Sequence, residues 1–438
     1  MSSQQAELAG SPESTAKHHF KNDLEFARSL DEKDELAEYR KQYLIPKTKD
    51  GKEWIYMAGN SLGLQPVRVR EYIGEELDDW AKHGVEGHWD ARHPWLPYHE
   101  NLTEMAARLV GGKPIEVVIM NTLTVNLHLM MVSFYRPTKE RYKIIIEADA
   151  FPSDRYAVDS QAKFHGFDPS TAVVALKPRE GEYTLRPEDI LQAIEREGQS
   201  LALVMLGNVN YLTGQAFDMK TIAAKAHSVG ALAGFNLAHG AGNLLLKLHD
   251  DDVDFAMWCS YKYLNSGPGS LAGCFVHERH SKDSSLPRFA GWWGHNKKTR
   301  FQMGPTFDPI PGAEGWQLSN PPIFQLAALR ASMELFDKAG MANLRRKGDL
   351  LTAYLEFLLT DIGGDFFRVI TPSDPKQRGS QLSIKLKSQP KDFVKSLGEK
   401  GVICDFREPD IMRAAPTPMY NTFEDVYNFA KAVGEHVT

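Results

Sequence analysis

Three residues near the middle of the chain are of types that together do amino-group chemistry. Asn236 and His239 stand in "GFNLAHGAGN", and Lys262 stands in "WCSYKYLNSGPGS". Asn236 closes one short apolar run and Lys262 follows another, so both fall where a buried strand ends and the chain turns. Most lysines are solvated. Lys262, with an apolar strand before it and Gly-rich chain after it, reads instead as an inward-pointing amine suited to a Schiff base. Asn236 would look out over the edge of a sheet, with His239 three residues on. Metal chemistry is not indicated. His83, His88, His93 and His99 recur at five, five and six residues, whereas a helical metal pair uses i, i+4. Cys259, Cys274 and Cys404 form no CxxC pair, so neither zinc nor a disulfide framework is expected.

The elements that must position these residues are legible as texture. From residue 117 onward, short runs that are apolar throughout ("VVIM", "KIIIEA", "AVVALK", "LALVML", "ALAGF", "FAMWCS", "GCFVHE") alternate with helical patterns such as "RPEDILQAIEREG". Such runs suit strands buried on both faces of a mostly parallel α/β sheet. Ligands bind outside the carboxyl ends of such strands. Here the strand ends read "NTLTVN", "AFPSD", "GNVNYLTG", "FNLAH" and "SYKYLNSGPGS", all small, polar or aromatic. After "SNPPI" two long helical patterns and an α+β stretch follow. The organisation expected is a mobile tail (1–20), an N-terminal segment packing with the small domain (21–66), a large sheet domain (67–320) and a small α+β domain (321–438). Residues 23–43 read as one charged amphipathic helix. Met130 and Met131 are adjacent and read as core, as does Trp293. The 438 residues carry 42% apolar and 25% charged side chains and a net charge of −6. That is the profile of a soluble globular protein with no bias toward nucleic acid. The polar first twenty residues do not read as a signal peptide and no run is long enough to span a membrane, so a cytoplasmic protein is expected.

The stretches "GNSLGLQP", "LTVNLHLMM", "FPSDRYA", "VNYLTGQ", "LAHGAGN", "WCSYKYLN", "GWWGH", "LSNPP" and "RAAPTPMYN" resemble those of the kynureninases, fold-type-I pyridoxal-phosphate enzymes of tryptophan catabolism and NAD precursor synthesis. The likeness covers nearly the whole chain after the tail. It implies a seven-stranded, mostly parallel sheet domain with a small α+β domain, pyridoxal 5'-phosphate as cofactor, and a homodimer with its site at the interface. The substrate implied is kynurenine or 3-hydroxykynurenine. By this resemblance Lys262 carries the cofactor and Tyr261 holds its phosphate and assists proton transfer. Leu123 and Thr124 contact the cofactor, Thr124 through the phosphate. The run Phe151, Pro152, Ser153 and Asp154 supplies a stacking ring and a nearby carboxylate. Gly207, Asn236, His239, Trp292 and Asn320 complete the pocket, some from the partner subunit. Arg413 pairs with the substrate α-carboxylate, and Ser61, His88 and Asn320 lie on the substrate side. The chemistry asks for the same types independently: an amine, phosphate donors, an aromatic face, a partner for the ring nitrogen, and a fork-shaped cation for a carboxylate.

Two positions depart from the family pattern. Where relatives place an aspartate that keeps the ring nitrogen protonated, this chain has Asn236, which hydrogen-bonds but carries no charge. Taken alone, that exchange costs roughly 10- to 1,000-fold in rate. Gly207 stands where relatives often have a hydroxyl. Two other readings compete. A catalytically silent binding protein of the same fold would not need Lys262, Tyr261 and Arg413. A desulfurase-like enzyme would want a cysteine in an exposed loop, and Cys404 in "VICDF" reads as a strand residue.

Overall fold

The computed structural model describes residues 19–283, 285–363, 366–388 and 390–437. Of the expected tail, all but His19 and Phe20 lies outside the described residues. The seven apolar runs form one sheet: β1 (Val117–Met120), β2 (Lys143–Glu147), β3 (Val173–Leu176), β4 (Leu201–Gly207), β5 (Leu232–Asn236), β6 (Phe255–Cys259) and β7 (Ala272–Val276). Their order is β1-β7-β6-β5-β4-β2-β3. Only β7 runs antiparallel to its neighbours. The carboxyl ends of the other six strands therefore share one edge with the start of β7.

Strands buried on both faces need helices on both. Helices α4 (Leu123–Phe134) and α5 (Pro152–Phe164) cover one face with a core that includes Leu127, Met130, Met131 and Val158. Phe134 stacks on Phe255 of β6 with ring centroids 4.7 Å apart. Helix α3 (Glu100–Val110), α6 (Ile323–Ala339) and the helices Pro187–Glu197 and Met219–Ser228 cover the other. Within the sheet, two glycines make room for aromatic rings on adjacent strands. A Cβ on Gly234 would lie 2.1 Å from Phe255, and one on Gly273 would lie 2.1 Å from Trp258.

The second sheet is four-stranded, with β8 (Phe367–Val369), β9 (Leu382–Leu386), β10 (Asp405–Arg407) and β11 (Ile411–Ala414) in the order β8-β9-β11-β10. It packs with the long helix α7 (Met341–Ile362) and α8 (Phe423–Val437) in a core running from Leu351 to Val433. Helix α6 buries its side chains in the large core, so the change of core falls inside α7. The N-terminal segment joins the small sheet: Ile55–Tyr56 pairs parallel with Val402–Ile403, and Ala58 bridges to Ala415 beside β11. Asp31 caps α8 by accepting from the amides of Phe423 and Glu424 at 2.7 and 2.9 Å.

The helix expected over 23–43 is broken. It is α1 (Leu24–Asp31), followed by a 3₁₀ turn at Ala37–Gln42, with α2 (Val69–His83) the next long helix. The cause is Asp34, whose carboxylate takes the Leu36 amide at 2.9 Å and the buried Lys347 ammonium at 2.7 Å. A short acidic side chain that bonds its own backbone favours a turn over a helix. No helix among the described residues is long and apolar enough to cross a membrane.

Candidate active site

The shared strand edge encloses a cavity of about 290 Å³. It is lined by Leu123, Thr124, Phe151, Ser153 and Asp154, and by Gly207, Asn236, His239, Tyr261 and Lys262. Residues predicted from five separated strand ends thus converge on one space. Pro152 opens α5, between two lining residues.

Lys262 lies early in the loop after β6, with its Nζ 3.1 Å from His239 Nε2. The ammonium sits 5.8 Å from the Phe151 ring centre and 5.9 Å from that of Tyr261. Burial pushes the lysine below its ordinary pKa, and the charges of Arg413 and Arg407 add to this. Burial and then the Lys262 charge hold His239 well below its usual range. A neutral imidazole beside a weakened ammonium leaves the amine readily deprotonated.

The cavity lining also carries groups suited to an anion. Helix α4 begins at Leu123 with no side-chain cap, so its first amides and dipole face an incoming anion. The hydroxyls of Thr124 and Ser153 are 2.7 Å apart. Ser270 lines the cavity with a buried hydroxyl that has no partner. Tyr261 is raised to about 12 by burial and remains a phenol donor.

At the third corner, β4 and β5 set Gly207 directly beside Asn236. The Asn236 amide has a fixed orientation: its Oδ1 accepts from the Ala238 amide at 2.9 Å, and its Nδ2 donates to Asp154 Oδ2 at 2.8 Å. Burial raises Asp154 to about 6, restrained by the Asn236 bond and by Lys262. Glu147, also on the cavity wall, accepts from the Gly207 amide at 2.7 Å and from Asn210 Nδ2 at 2.8 Å. Burial raises it to about 7. A carboxylate thus stands within hydrogen-bonding distance of the uncharged Asn236.

The other predicted residues fall outside this lining. Asn320 lines an adjoining cavity that shares Thr122 and Gly269 with the first. Arg413 is buried just behind Tyr211, a cavity residue, and donates to its carbonyl at 2.7 Å. Ser61 lies in the turn whose Gly63 amide donates to the Tyr261 carbonyl at 2.8 Å. His88 packs against Trp89 and Trp95 on the surface. Trp292 is 41% exposed against Trp293 and Phe301. Within one chain, His88 and Trp292 are not brought to the cavity. Residue-by-residue reading had not singled out Glu147, Asn210, Tyr211 and Ser270. The signals were present as a carboxylate ending the apolar run "KIIIEA" and as polar residues in "GNVNYLTG" and "SGPGS".

Glu116, His249 and His277 place ligand-type atoms within 4.8 Å of one another at the other edge of the sheet. Those atoms already have partners: Glu116 Oε1 accepts from the Glu278 amide at 2.8 Å and meets His249 at 2.9 Å. His277 Nδ1 accepts from the Arg279 amide at 3.2 Å. The lone pairs a metal would need are engaged.

The unpartnered Ser270 hydroxyl, the uncapped helix and the buried amine are the donor set that a phosphorylated aldehyde cofactor requires, and the exposed face of Phe151 suits its ring. The fold is that of cysteine desulfurases: the apo enzyme from Thermococcus onnurineus NA1 matches at 18% identity over 91% of this chain and 97% of its own, TM-score 0.75. The Escherichia coli enzyme matches at 19% identity over 92% and 98%, TM-score 0.74. Residues 344–433 match the kynureninase C-terminal domain family. A kynureninase from Myxococcus xanthus is 65% identical over 96% of this chain and 99% of its own length. One from Koribacter versatilis is 58% identical over 93% and 96%, and one from the animal Nematostella vectensis is 52% identical over 92% of each. With a lysine-centred cavity at the sheet edge and identity of this extent along the whole chain, the protein belongs to the kynureninase family.

Proposed function

We propose that the chain is a pyridoxal 5'-phosphate-dependent hydrolase that cleaves the bond between Cβ and the γ-carbonyl carbon of L-kynurenine or 3-hydroxy-L-kynurenine. Water is added across that bond, and the products are L-alanine with anthranilate or 3-hydroxyanthranilate. The observation that carries the reading is the 65% identity to a kynureninase over nearly the full length of both chains. The silent-binder reading has no comparable support.

The bound cofactor supplies an electron sink for charge developing at the substrate α carbon. The chain's own residues do the rest. Lys262 Nζ would hold the cofactor through its aldehyde carbon and, once displaced by the substrate amine, would be the base that takes the α proton. His239, kept neutral, accepts from the lysine without adding a competing charge. The α4 amides at Leu123 and Thr124, with the Thr124, Ser153 and Ser270 hydroxyls and the Tyr261 phenol, would hold the phosphate. Phe151 would offer a face to the ring, and Asp154 and Asn236 would supply the partners for its nitrogen, with Gly207 and Pro152 shaping the wall. Arg413 pairs with the α-carboxylate, and Tyr261 passes protons in the later steps.

Ser61, His88 and Asn320 lie on the substrate side and Trp292 completes the cofactor pocket, some of them from the partner subunit of a homodimer. The exposure of Trp292, together with Phe301 and Met303 at 51% and 68%, supports a partner subunit covering that face. The packing supports a large unit and a small unit joined inside α7, with the N-terminal segment held by the small sheet. Three free thiols at Cys259, Cys274 and Cys404 suit a reducing, cytoplasmic setting. The test is release of anthranilate from kynurenine and of 3-hydroxyanthranilate from 3-hydroxykynurenine by the purified, cofactor-loaded protein. A loaded protein that releases neither overturns the reading.

A further inference from the structure

Arg413 is 1% exposed, a guanidinium that must be held by its surroundings. Strand pairing places Asp405 of β10 directly opposite Arg413 of β11. Arg413 Nη2 donates to Asp405 Oδ2 at 2.5 Å, and Nη1 donates to the Tyr211 carbonyl at 2.7 Å. The same Asp405 oxygen accepts from Arg407 Nη2 at 3.0 Å. The Nε atoms of both arginines are buried and unpartnered. Two guanidiniums therefore share one carboxylate, and the trio carries a net single positive charge. An Arg413–Asp405 pair alone would be neutral and would offer a carboxylate ligand little attraction.

We propose that Asp405 and Arg407 are positioning residues of the substrate-carboxylate subsite. Asp405 fixes the plane of the Arg413 guanidinium. Arg407 offsets the Asp405 charge, so that Arg413 keeps one unit of positive charge and a free Nε–H for an α-carboxylate. Tyr211, whose carbonyl takes the Arg413 Nη1, lines the cavity that holds Lys262, so the trio backs directly onto that wall. This deepens the kynurenine-cleaving reading and rests on it, with Arg413 as the carboxylate partner.

The test uses the cofactor-loaded protein and its Arg407→Gln, Arg407→Lys and Arg407→Gln/Asp405→Asn forms. Arg407→Gln should raise KM for kynurenine about tenfold, as the loss of one partly exposed charge near a carboxylate predicts, and leave kcat within about threefold. Arg407→Lys, which keeps the charge, should recover most of that loss. Kynurenine α-carboxamide, used as a competitive inhibitor, should bind the unaltered and Arg407→Gln proteins alike. The double form restores the net charge without the anchor, so its KM should stay raised. An unchanged KM in Arg407→Gln, or an equal penalty on the carboxamide, overturns the role of Arg407. Full recovery in the double form overturns that of Asp405. Absence of kynurenine turnover in the unaltered protein overturns the parent reading and this one with it, whereas an unchanged KM in Arg413→Gln with turnover intact overturns this one alone.

Discussion

Replacing Asn236 with aspartate would set two carboxylates together where the structure now has an amide and a carboxylate. Asn236 Nδ2 lies 2.8 Å from Asp154 Oδ2, and both groups are buried. Two full negative charges at 2.8 Å would repel by about 6 kcal/mol at an effective dielectric of ~20. The variant pair would therefore share one proton at neutral pH and titrate as a unit. Its net charge would be −1, the charge that the Asn236–Asp154 pair already carries above pH 6 or so, where Asp154 ionises. What remains to distinguish the two proteins is the strength of one hydrogen bond, about 1 kcal/mol, so kcat/KM at about pH 7.5 should rise by less than ~10-fold in Asn236→Asp. Apoprotein stability gives a second readout. The shared proton has a folded pKa well above its unfolded value. The stability it contributes is complete below about pH 4 and is lost as pH rises through the folded value. The thermal midpoint of Asn236→Asp should thus fall below that of the unaltered protein in the alkaline range, with the gap widening as pH rises. A rate gain of a hundredfold or more at neutral pH, with parallel stability profiles, would refute the reasoning and return the full effect to position 236 itself.

Three further outcomes are expected. Lys262→Ala should lower anthranilate release by at least about a thousandfold and abolish the cofactor's lysine-bound absorption band, since no other lysine lines the cavity among the described residues. Gly207→Ser should fold with a small local adjustment, because its Cβ would stand a close 3.3 Å from Glu147 Oε2, a side-chain end that can yield by a few tenths of an ångström. Its hydroxyl can donate to that carboxylate, so stability should shift by less than ~1 kcal/mol and cofactor loss on dialysis should slow. Glu147→Gln should flatten the pH dependence of apoprotein stability. Burial lifts Glu147 to about 7, so the stability it contributes is present below pH ~4.5 and is lost as pH rises through 7. The unaltered protein should lose about 3 kcal/mol over that window from this group, and the variant should not, as thermal unfolding at pH 5 and 8 would show.

The site's position was legible because two local signals coincide. Strands such as "FAMWC" are apolar throughout because both faces are covered, and the residues just past them are polar because they border a cavity. Lys262, Asn236 and Asp154 could be placed on one edge from that contrast alone. Interactions spanning long stretches of chain leave no such trace. Nothing near Asp405 in the sequence announces that it faces Arg413 across a hairpin, or that Tyr211, some two hundred residues away, takes the guanidinium's other arm. The break after α1 was invisible for a similar reason. Asp34 looks like one more polar position on an amphipathic helix until Lys347 of α7 arrives to pair with it. Likewise, His88 and Trp292 stand away from the cavity within one chain, and only the family resemblance links them to it.

Gly63 bears on the order in which the protein becomes competent. Its amide bonds the Tyr261 carbonyl at 2.8 Å, and a Cβ there would press on the Lys262 carbonyl at 2.3 Å. The turn that carries it is held at the other side by Ala415. The Lys262 backbone is therefore braced by an early segment that is itself fastened to a segment far later in the chain. A nascent chain can build the large sheet and still lack the brace. Cofactor capture then serves as a completion signal: a chain truncated near its C-terminus, or one whose small unit has opened, should release the cofactor while its seven-stranded sheet is still intact.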